Sequence, residues 1–525
     1  MKKILILLLV ALTACSNTTI DKRKTVAELD VLLKGSNADV FASEVASAYS
    51  IFPIAYADSN NDGFGDLRGI ISQLDALNDG NPQTQSDLGI NAIWLNPINP
   101  SKTYHKYDVM DYKGIDPAFG TIDDFKALVA ACKKRGIKLI LDMVFNHTAI
   151  DHPWFQKAIA GDKKYRDYYR IETKVTNAQY PDKAGWYYTN SLAYYAAFWN
   201  KMPELNAQSE AVRTELKSIL KFWMDLGVDG FRYDAAIHMY DKNEYPVGTP
   251  TMELSKQFWM EMKSYAKSIN PNIFLVAEAW LPANQAAAYA SGFDSLFNFD
   301  LAAGIIKSVK DGYQTNFVAT YLNGKKNFIR RNENFIDATF LTNHDQERIM
   351  STLAGDARKA KLAANMLFTL PGIPFIYYGE ELGMLGMKPD ELIREPYRWT
   401  DVAASPNALW EAWKINGSTI PYATQKDDAG SMLSFYRNLV HLRATNAILR
   451  FGEIADFELP IPNQKILSFI RVYNGKKLIV IHNLDQQTQT FELPSGGVVV
   501  YAHGAFTLTK STLTLPAFSS IVLGE

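Results

Sequence analysis

Four short segments place carboxylates, imidazoles and a guanidinium where they could act on one substrate. Gly230-Phe-Arg232-Tyr-Asp234 sets a cation and an acid two residues apart, so on a strand both project from one face. A buried charge needs a partner, and a guanidinium can hold a neighbouring carboxylate ionised. Such a carboxylate could be a nucleophile or a metal ligand, and the pair could equally be a structural ion pair. Glu278 follows the apolar run 273–277. Apolar surroundings raise a carboxyl pKa and suit acid catalysis, whereas a solvated loop would not. Asn343-His344-Asp345 and Asp142 with Asn146 and His147 complete the set; each could also be a polar loop cap. Together these residues point to glycoside hydrolysis or to a metal-dependent hydrolase. Against the second, the chain has no His-x-His and no His-Glu-x-x-His spacing. A serine nucleophile is unsupported, because Gly-x-Ser-x-Gly is absent.

A separate loop has the spacing of a cation site. Asp58, Asn60, Asp62 and Asp66 fall at its positions 1, 3, 5 and 9, with Gly63 at position 6 and the Phe64 carbonyl at position 7. A hard cation such as Ca2+ needs six or more oxygens, and this spacing aims them at one point. Gly69 stands at position 12, where an EF-hand has Glu, so the loop is not an EF-hand. A metal here would be structural; the alternative is an Asx-turn loop without metal.

The elements that must position these residues alternate. Residues 90–95, 137–145, 228–233, 273–277, 338–341 and 375–378 read as short buried strands. Helical patterns cover 121–135, 212–226 and 258–266. Thr121 is placed to cap the first of these, with Asp124 three residues later. This rhythm predicts a parallel α/β sheet. Asp142, Asp234, Glu278 and Asp345 fall at the ends of strands, where barrel enzymes place their chemistry. Residues 147–205 break the rhythm and read as an inserted subdomain. Beyond 445 the helices stop, and 466–472, 477–482, 489–493 and 498–502 predict an antiparallel β domain with hairpins. The chain thus divides into a leader (1–14), a tether (15–35), a barrel in two parts (36–146 and 206–445), the insert, and a β domain (446–525).

The leader has Lys2 and Lys3, then an apolar run over 4–12 that is too short to span a membrane. It ends in Leu-Thr-Ala-Cys15, which resembles a bacterial lipobox. The resemblance implies lipidation of Cys15, anchoring to the cell envelope and, in a double-membrane bacterium, the outer membrane. Cys132 reads as a small buried hydrophobe. With 54 basic and 56 acidic side chains among 525 residues, the chain has no basic block suited to nucleic acid. Two cysteines cannot make a disulfide scaffold.

In combination the segments resemble the alpha-amylase superfamily of retaining glycoside hydrolases. DMVFNH (142–147), GFRYDAAIH (230–238), EAW (278–280), FLTNHD (340–345) and MPELN (202–206) match its five segments in sense or closely. GDLRG (65–69) and PGIPFIYYGEELG (371–383) add to the agreement. The resemblance implies a (β/α)8 TIM barrel with a subdomain inserted after the third strand and a C-terminal antiparallel β-sandwich. It assigns Asp234 as nucleophile, Glu278 as acid/base and Asp345 as the carboxylate that binds ring hydroxyls and stabilises the transition state. Arg232, His147, His344, Tyr107 and Asp108 become substrate-binding or supporting residues, and His105 is read as peripheral. His238 is read as a helix-start residue without a second metal. The Asp58–Asp66 loop resembles the calcium loop of the oligo-1,6-glucosidase-like branch.

MPELN lies between QPDLN of the 1,6-glucosidases and MPKLN of the neopullulanases, as in an intermediate group rich in bacterial amylases. Ala235 follows Asp234, where enzymes of α-1,6 bonds tend to carry Val. No long N-terminal domain of the neopullulanase kind precedes the barrel. The expected activity is endohydrolysis of α-1,4-glucosidic bonds in starch, glycogen and maltodextrins. The alternatives are a neopullulanase, α-glucosidase or glucanotransferase acting on maltodextrins, or a non-catalytic glucan-binding protein. The expected partners are an α-glucan or maltooligosaccharide and a lipid anchor, with no nucleic acid and no obligate protein partner.

Overall fold

Alternating short apolar runs and amphipathic helices close on themselves in this chain. A computed structural model describes residues 40–524 apart from 178, 181, 182, 190 and 495. Cys15, the leader and the tether lie outside the described residues. Three strands open the fold: β1 (Ala48–Ile51), β2 (Ala92–Leu95) and β3 (Lys138–Met143). After the small strands β4 (Ile171–Glu172), β5 (Trp186–Thr189) and β6 (Leu192–Tyr195) come β7 (Gly230–Tyr233), β8 (Phe274–Ala277), β9 (Ser295–Phe297), β10 (Ile336–Phe340) and β11 (Ile373–Tyr377). The eight larger-fold strands pair in parallel in the order β1-β2-β3-β7-β8-β9-β10-β11, and β11 returns to β1. This is the expected eight-stranded barrel, with no free edge.

Alternate residues divide between two cores. Ala92, Trp94, Ile140, Phe274, Val276, Phe297, Phe340 and Phe375 point inward and fill the barrel. Ile93, Leu95, Leu139, Leu141, Phe231 and Leu275 point outward to the helices. Phe41, from the short helix Val40–Glu44, closes one end by stacking on Phe274, with centroids 4.1 Å apart. Phe274 begins β8, so this plug sits opposite the strand ends that carry the acids.

The helix predicted at 121–135 spans Ile122–Lys134 and begins with a full capping box between Thr121 and Asp124. Those predicted at 212–226 and 258–266 span Glu210–Asp225 and Thr251–Ile269. β9 has no counterpart in the sequence reading, because Ser-Leu-Phe is too short to show a period. β10 starts two residues early, at Ile336. Its Asp337 is a buried acid that accepts from Tyr321 Oη at 2.7 Å and Asn298 Nδ2 at 3.1 Å, so a polar residue fits a strand.

The chain between β3 and β7 forms the sheet β4-β6-β5 over Val175, Tyr180, Trp186, Ala193 and Tyr195. Bridges between His147 and Glu204 and between Tyr169 and Leu205 close its neck. Beyond the helix Met432–Thr445 the helices do not stop as expected: Asn446 caps one more, Ala447–Phe451, and then come β12 (Glu453–Asp456), β13 (Ile466–Tyr473), β14 (Lys476–Asn483), β15 (Gln489–Glu492), β16 (Val498–His503), β17 (Thr507–Thr509), β18 (Thr512–Leu515) and β19 (Ser520–Gly524). They form antiparallel sheets β12-β13-β14-β19-β16 and β15-β18-β17. Asn474-Gly475 turns β13 into β14 with both residues at positive φ, 49° and 75°, as a type I′ hairpin requires. Buried Arg471 on β13 fastens this domain to the barrel. It donates to the carbonyls of Thr369, Leu449 (2.9 Å) and Gly452 (2.6 Å).

Candidate active site

Strand register brings the distant acids together. Asp142 on β3 pairs with Arg232 on β7, and Tyr233 pairs with Ala277 on β8. Asp234 and Glu278, each one residue further, therefore leave their strands side by side. Arg232 is fully buried and bridges them. Its Nη1 donates to Asp234 Oδ1 at 2.7 Å and to both oxygens of Asp142 at 2.9 and 3.0 Å, and its Nη2 donates to Glu278 Oε2 at 2.5 Å. The Ala235 N–H adds a bond to Glu278 Oε2 at 3.2 Å.

Asp345, which follows β10 two strands beyond β8 in the ring, has its own cation. Arg394 Nη2 donates to Asp345 Oδ1 at 2.9 Å, and Arg394 Nε donates to the His344 carbonyl at 2.9 Å. Tyr107 Oη donates to Asp142 Oδ2 at 3.1 Å and lies 2.6 Å from His344 Nε2. The Tyr107 and His344 rings stack at 5.5 Å, and Asn96 Nδ2 lies 3.2 Å from His344 Nδ1. This network makes Nδ1 the acceptor and leaves the Nε2 proton facing Tyr107 and Asp345, whose Oδ2 is 3.2 Å away.

Burial and neighbouring charge separate the acids. Desolvation lifts Asp234 and Glu278 each to about 7 and Asp142 to about 6, against the opposing pull of Arg232. Asp345 is also buried, but His344 and Arg394 hold its carboxyl below the usual range. Burial pushes the His147 and His344 imidazoles down to about 4 and about 3, so both are neutral near pH 7. The site thus offers one firmly ionised acid beside a pair that titrates as a unit near neutrality.

These groups open into a cavity of about 610 Å3. Asp234, Glu278, Asp345, Tyr107 and His147 line it, as the sequence reading expects of contact residues. Three other assigned residues do not line it. Arg232 and His344 are wholly buried behind the carboxylates and Tyr107. Asp108, placed with the substrate-binding set, instead accepts hydroxyl bonds from Ser101 and Thr103 and shapes its own loop. His105, read as peripheral, lines the cavity, and so does His238. Sequence reasoning missed Arg394, Asp390, Phe198 and Trp199, which complete the wall. Arg394 ends the one-turn helix Asp390–Ile393 after β11, which is too short for any period to mark it. Trp280, two residues after Glu278, is 48% exposed and rests one ring face on Phe299, with centroids 4.7 Å apart.

The Asp58–Asp66 loop lies beside this face. Asp58 accepts from the N–H groups of Asn60, Asn61 and Gly63 at 2.9, 2.7 and 2.8 Å. Asp66 caps the helix Leu67–Ser72 through Gly69 N–H at 2.7 Å and accepts from Ser59 N–H at 2.8 Å. Gly65 and Gly69 let this loop lie against β1's extension, since a Cβ at either would collide with the carbonyl of Pro53 or Ala57. Among the described residues, no three acidic, His or Cys side chains converge as a ready metal cluster. The loop does carry the donor types a hard cation takes, three carboxylates, the Asn60 amide oxygen and the Phe64 carbonyl, with the side-chain oxygens here accepting from the loop's own N–H groups.

Residues 50–452 match the family model described as alpha amylase, catalytic domain, and residues 466–522 match the alpha-amylase SusG C-terminal domain. The chain is similar to alpha-amylase 3 of Dictyoglomus thermophilum, with 38% identity over 90% of this chain and 92% of that one. It is 32% identical to a 4-alpha-glucanotransferase of Thermotoga maritima, over 85% of this chain and 97% of the relative. Among solved structures it resembles an alpha-amylase from H. orenii at a TM-score of 0.84 and 38% identity, covering 91% of this chain and 99% of that chain. With its acids gathered at the carboxyl ends of a closed barrel, the chain belongs to the alpha-amylase family and is a glycoside hydrolase.

Proposed function

We propose that the chain hydrolyses internal α-1,4-glucosidic bonds of starch, glycogen and maltodextrins with retention of configuration. The observation that carries this reading is the single Arg232 guanidinium shared by Asp234 and Glu278. Two carboxyls on adjacent nitrogens of one guanidinium suit the close spacing of retaining enzymes, about 5–5.5 Å, rather than the ~6.5–9.5 Å that leaves room for a water.

Glu278 in its protonated form donates to the glycosidic oxygen while ionised Asp234 attacks the anomeric carbon. The C–O bond to the leaving sugar breaks and a glycosyl ester to Asp234 forms. Glu278, now a carboxylate, takes a proton from water, whose oxygen displaces Asp234 and restores both acids. Asp345, kept ionised by Arg394, stabilises the positive charge that develops on the ring. Tyr107 offers an aromatic face to the sugar at the cleaved bond, and His147 a neutral imidazole edge. Replacing Glu278 with Gln is expected to abolish hydrolysis and leave the fold intact.

Product analysis on amylose, pullulan and isomaltose tests the substrate. Mixed maltooligosaccharides from amylose with isomaltose untouched are expected; glucose released from isomaltose would overturn the reading. The glucanotransferase relative supports transfer to a second sugar as the alternative outcome, with Trp280 offering that sugar a fixed ring face. Growth of maltotriose into longer chains, in place of hydrolysis, would favour it.

In the same proposal Asp58, Asn60, Asp62, the Phe64 carbonyl and Asp66 hold a structural Ca2+. A melting temperature lowered by EGTA and restored by calcium is expected; an unchanged melt would remove the metal. Cys15 carries a lipid that anchors the enzyme to the cell envelope, at the outer membrane of a double-membrane bacterium. Cys15→Ala is expected to release the protein from the membrane fraction, and retention of that variant would contradict the anchor.

A further inference from the structure

The segment around residues 400–410 takes no part in these steps, yet it joins the Asp58–Asp66 loop to the cavity. Four hydrogen bonds fasten it to that loop. Asp58 N–H donates to the Pro406 carbonyl at 3.0 Å, and Leu409 N–H donates to the Gly63 carbonyl at 2.7 Å. Ser405 N–H donates to Asn61 Oδ1 at 3.1 Å, and Ser405 Oγ donates to the Asp58 carbonyl at 2.7 Å. The next residue, Trp410, lays its indole on the Tyr104 ring, with centroids 4.7 Å apart and planes 18° from parallel. The indole Nε1 is buried without a hydrogen-bond partner among the described residues, so packing alone sets the ring.

Tyr104 continues the chain of contacts. Its Oη accepts from Arg394 Nη1 at 3.1 Å, and the guanidinium lies 5.6 Å from its ring centre. The other terminal nitrogen of the same guanidinium holds Asp345. A planar fork that grips two partners cannot turn toward one without losing the other. Tilting Tyr104 therefore tilts the group that aims Asp345. Arg394 is also tied to the His344 carbonyl and, at 3.2 Å, to Asp390 Oδ2, so the control is partial.

We propose that Trp410 is a positioning residue for Asp345, acting through Tyr104 and Arg394, and that the Asp58–Asp66 loop sets the place of Trp410. This rests on the role given to Asp345 above, and its metal arm rests on the calcium reading. An aromatic contact of this kind is worth a few-fold to about tenfold in an equilibrium or rate. Because Asp345 acts in the transition state, the loss falls on kcat rather than KM.

The test uses the full chain in calcium, well below its melting temperature, with a chromogenic maltooligosaccharide. Trp410→Ala is expected to lower kcat roughly three- to tenfold with KM little changed, and Trp410→Phe to restore most of it. Tyr104→Phe is expected to cost less than Trp410→Ala, and the double variant no more than Trp410→Ala alone, since both act on one path. A Trp410→Ala kcat within about twofold of the parent, or losses that multiply in the double variant, would overturn the proposal. EGTA is expected to lower the parent kcat and leave that of Trp410→Ala unmoved, while calorimetry shows both still binding calcium. Calorimetry without calcium binding in the parent would sink the calcium reading and with it the loop's metal arm. Full activity in Asp345→Asn would instead sink the catalytic reading on which the relay depends.

Discussion

Arg232 is the residue on which the proposed chemistry can be pressed hardest. It is wholly buried and its one positive charge is shared among three carboxyls, those of Asp142, Asp234 and Glu278. Two charges about 4 Å apart at an effective dielectric near 20 interact by roughly 4 kcal/mol. That corresponds to about three pKa units for an acid that loses its partner. The sign is upward, because the cation favours the ionised form of each acid. Arg232→Met should therefore move the acidic limb of kcat/KM to higher pH by about two to three units. Activity at pH 6 should fall by roughly a hundredfold or more. Arg232→Lys keeps the charge but cannot grip two carboxyls from one planar fork, so its limb should move by about one unit. Arg232→Met should also lose about 3–5 kcal/mol of stability where the acids stay ionised, and less at low pH, where protons replace the missing cation. The assay is kcat/KM on a chromogenic maltooligosaccharide from pH 4 to 10, with thermal melts to establish folding. A folded Arg232→Met whose acidic limb coincides with that of the parent would refute the reasoning.

Other consequences follow from single buried groups. Glu380 is buried, accepts one bond from Tyr436 Oη at 2.9 Å, and is pushed from 4.5 to about 8 by burial. Its folded pKa is raised, so its contribution to stability is whole at low pH and is lost as pH rises through about 8. Melting profiles from pH 5 to 9 should show Glu380→Gln flattening that fall; an unaltered slope would contradict it. Arg471→Met leaves three buried carbonyls without donors, Thr369 on the barrel and Leu449 and Gly452 on the chain leading into the β domain, and urea titration should show a loss of about 3 kcal/mol or more. A variant as stable as the parent would show that those bonds carry no net weight. Asp66→Ala should lose the cap on the helix Leu67–Ser72, about 1 kcal/mol. Its melt should no longer respond to EGTA, whereas a full EGTA response would move the cation elsewhere.

Much of the fold was legible because barrel strands are short apolar runs that end in polar residues. Arg232 and Asp234, two apart on one strand, announced their shared face, and β3, β7 and β8 lie where the runs at 137–145, 228–233 and 273–277 place them. β9 escaped because three residues carry no period, and β17 and β18 because short strands rich in Thr resemble loops. Residues behind the site were harder to assign than those within it. Asp108 and His105 are three positions apart, yet the turn between them sends His105 to the cavity and Asp108 into its own loop. Arg394 and Trp410 act through contacts across more than 45 and 300 residues of sequence respectively, to Asp345 and Tyr104. No local pattern reports such contacts.

The division of labour between Asp234 and Glu278 is tested most directly by trapping. A slow fluorosugar substrate with a good leaving group, given to the Glu278→Gln chain, needs no acid to form the intermediate and has no base to clear it. Mass spectrometry of the digested protein is expected to find the glycosyl mass on the peptide containing Asp234, as an ester lost at high pH. Label on a different carboxylate, or turnover with inverted anomeric configuration and no label, would contradict the account.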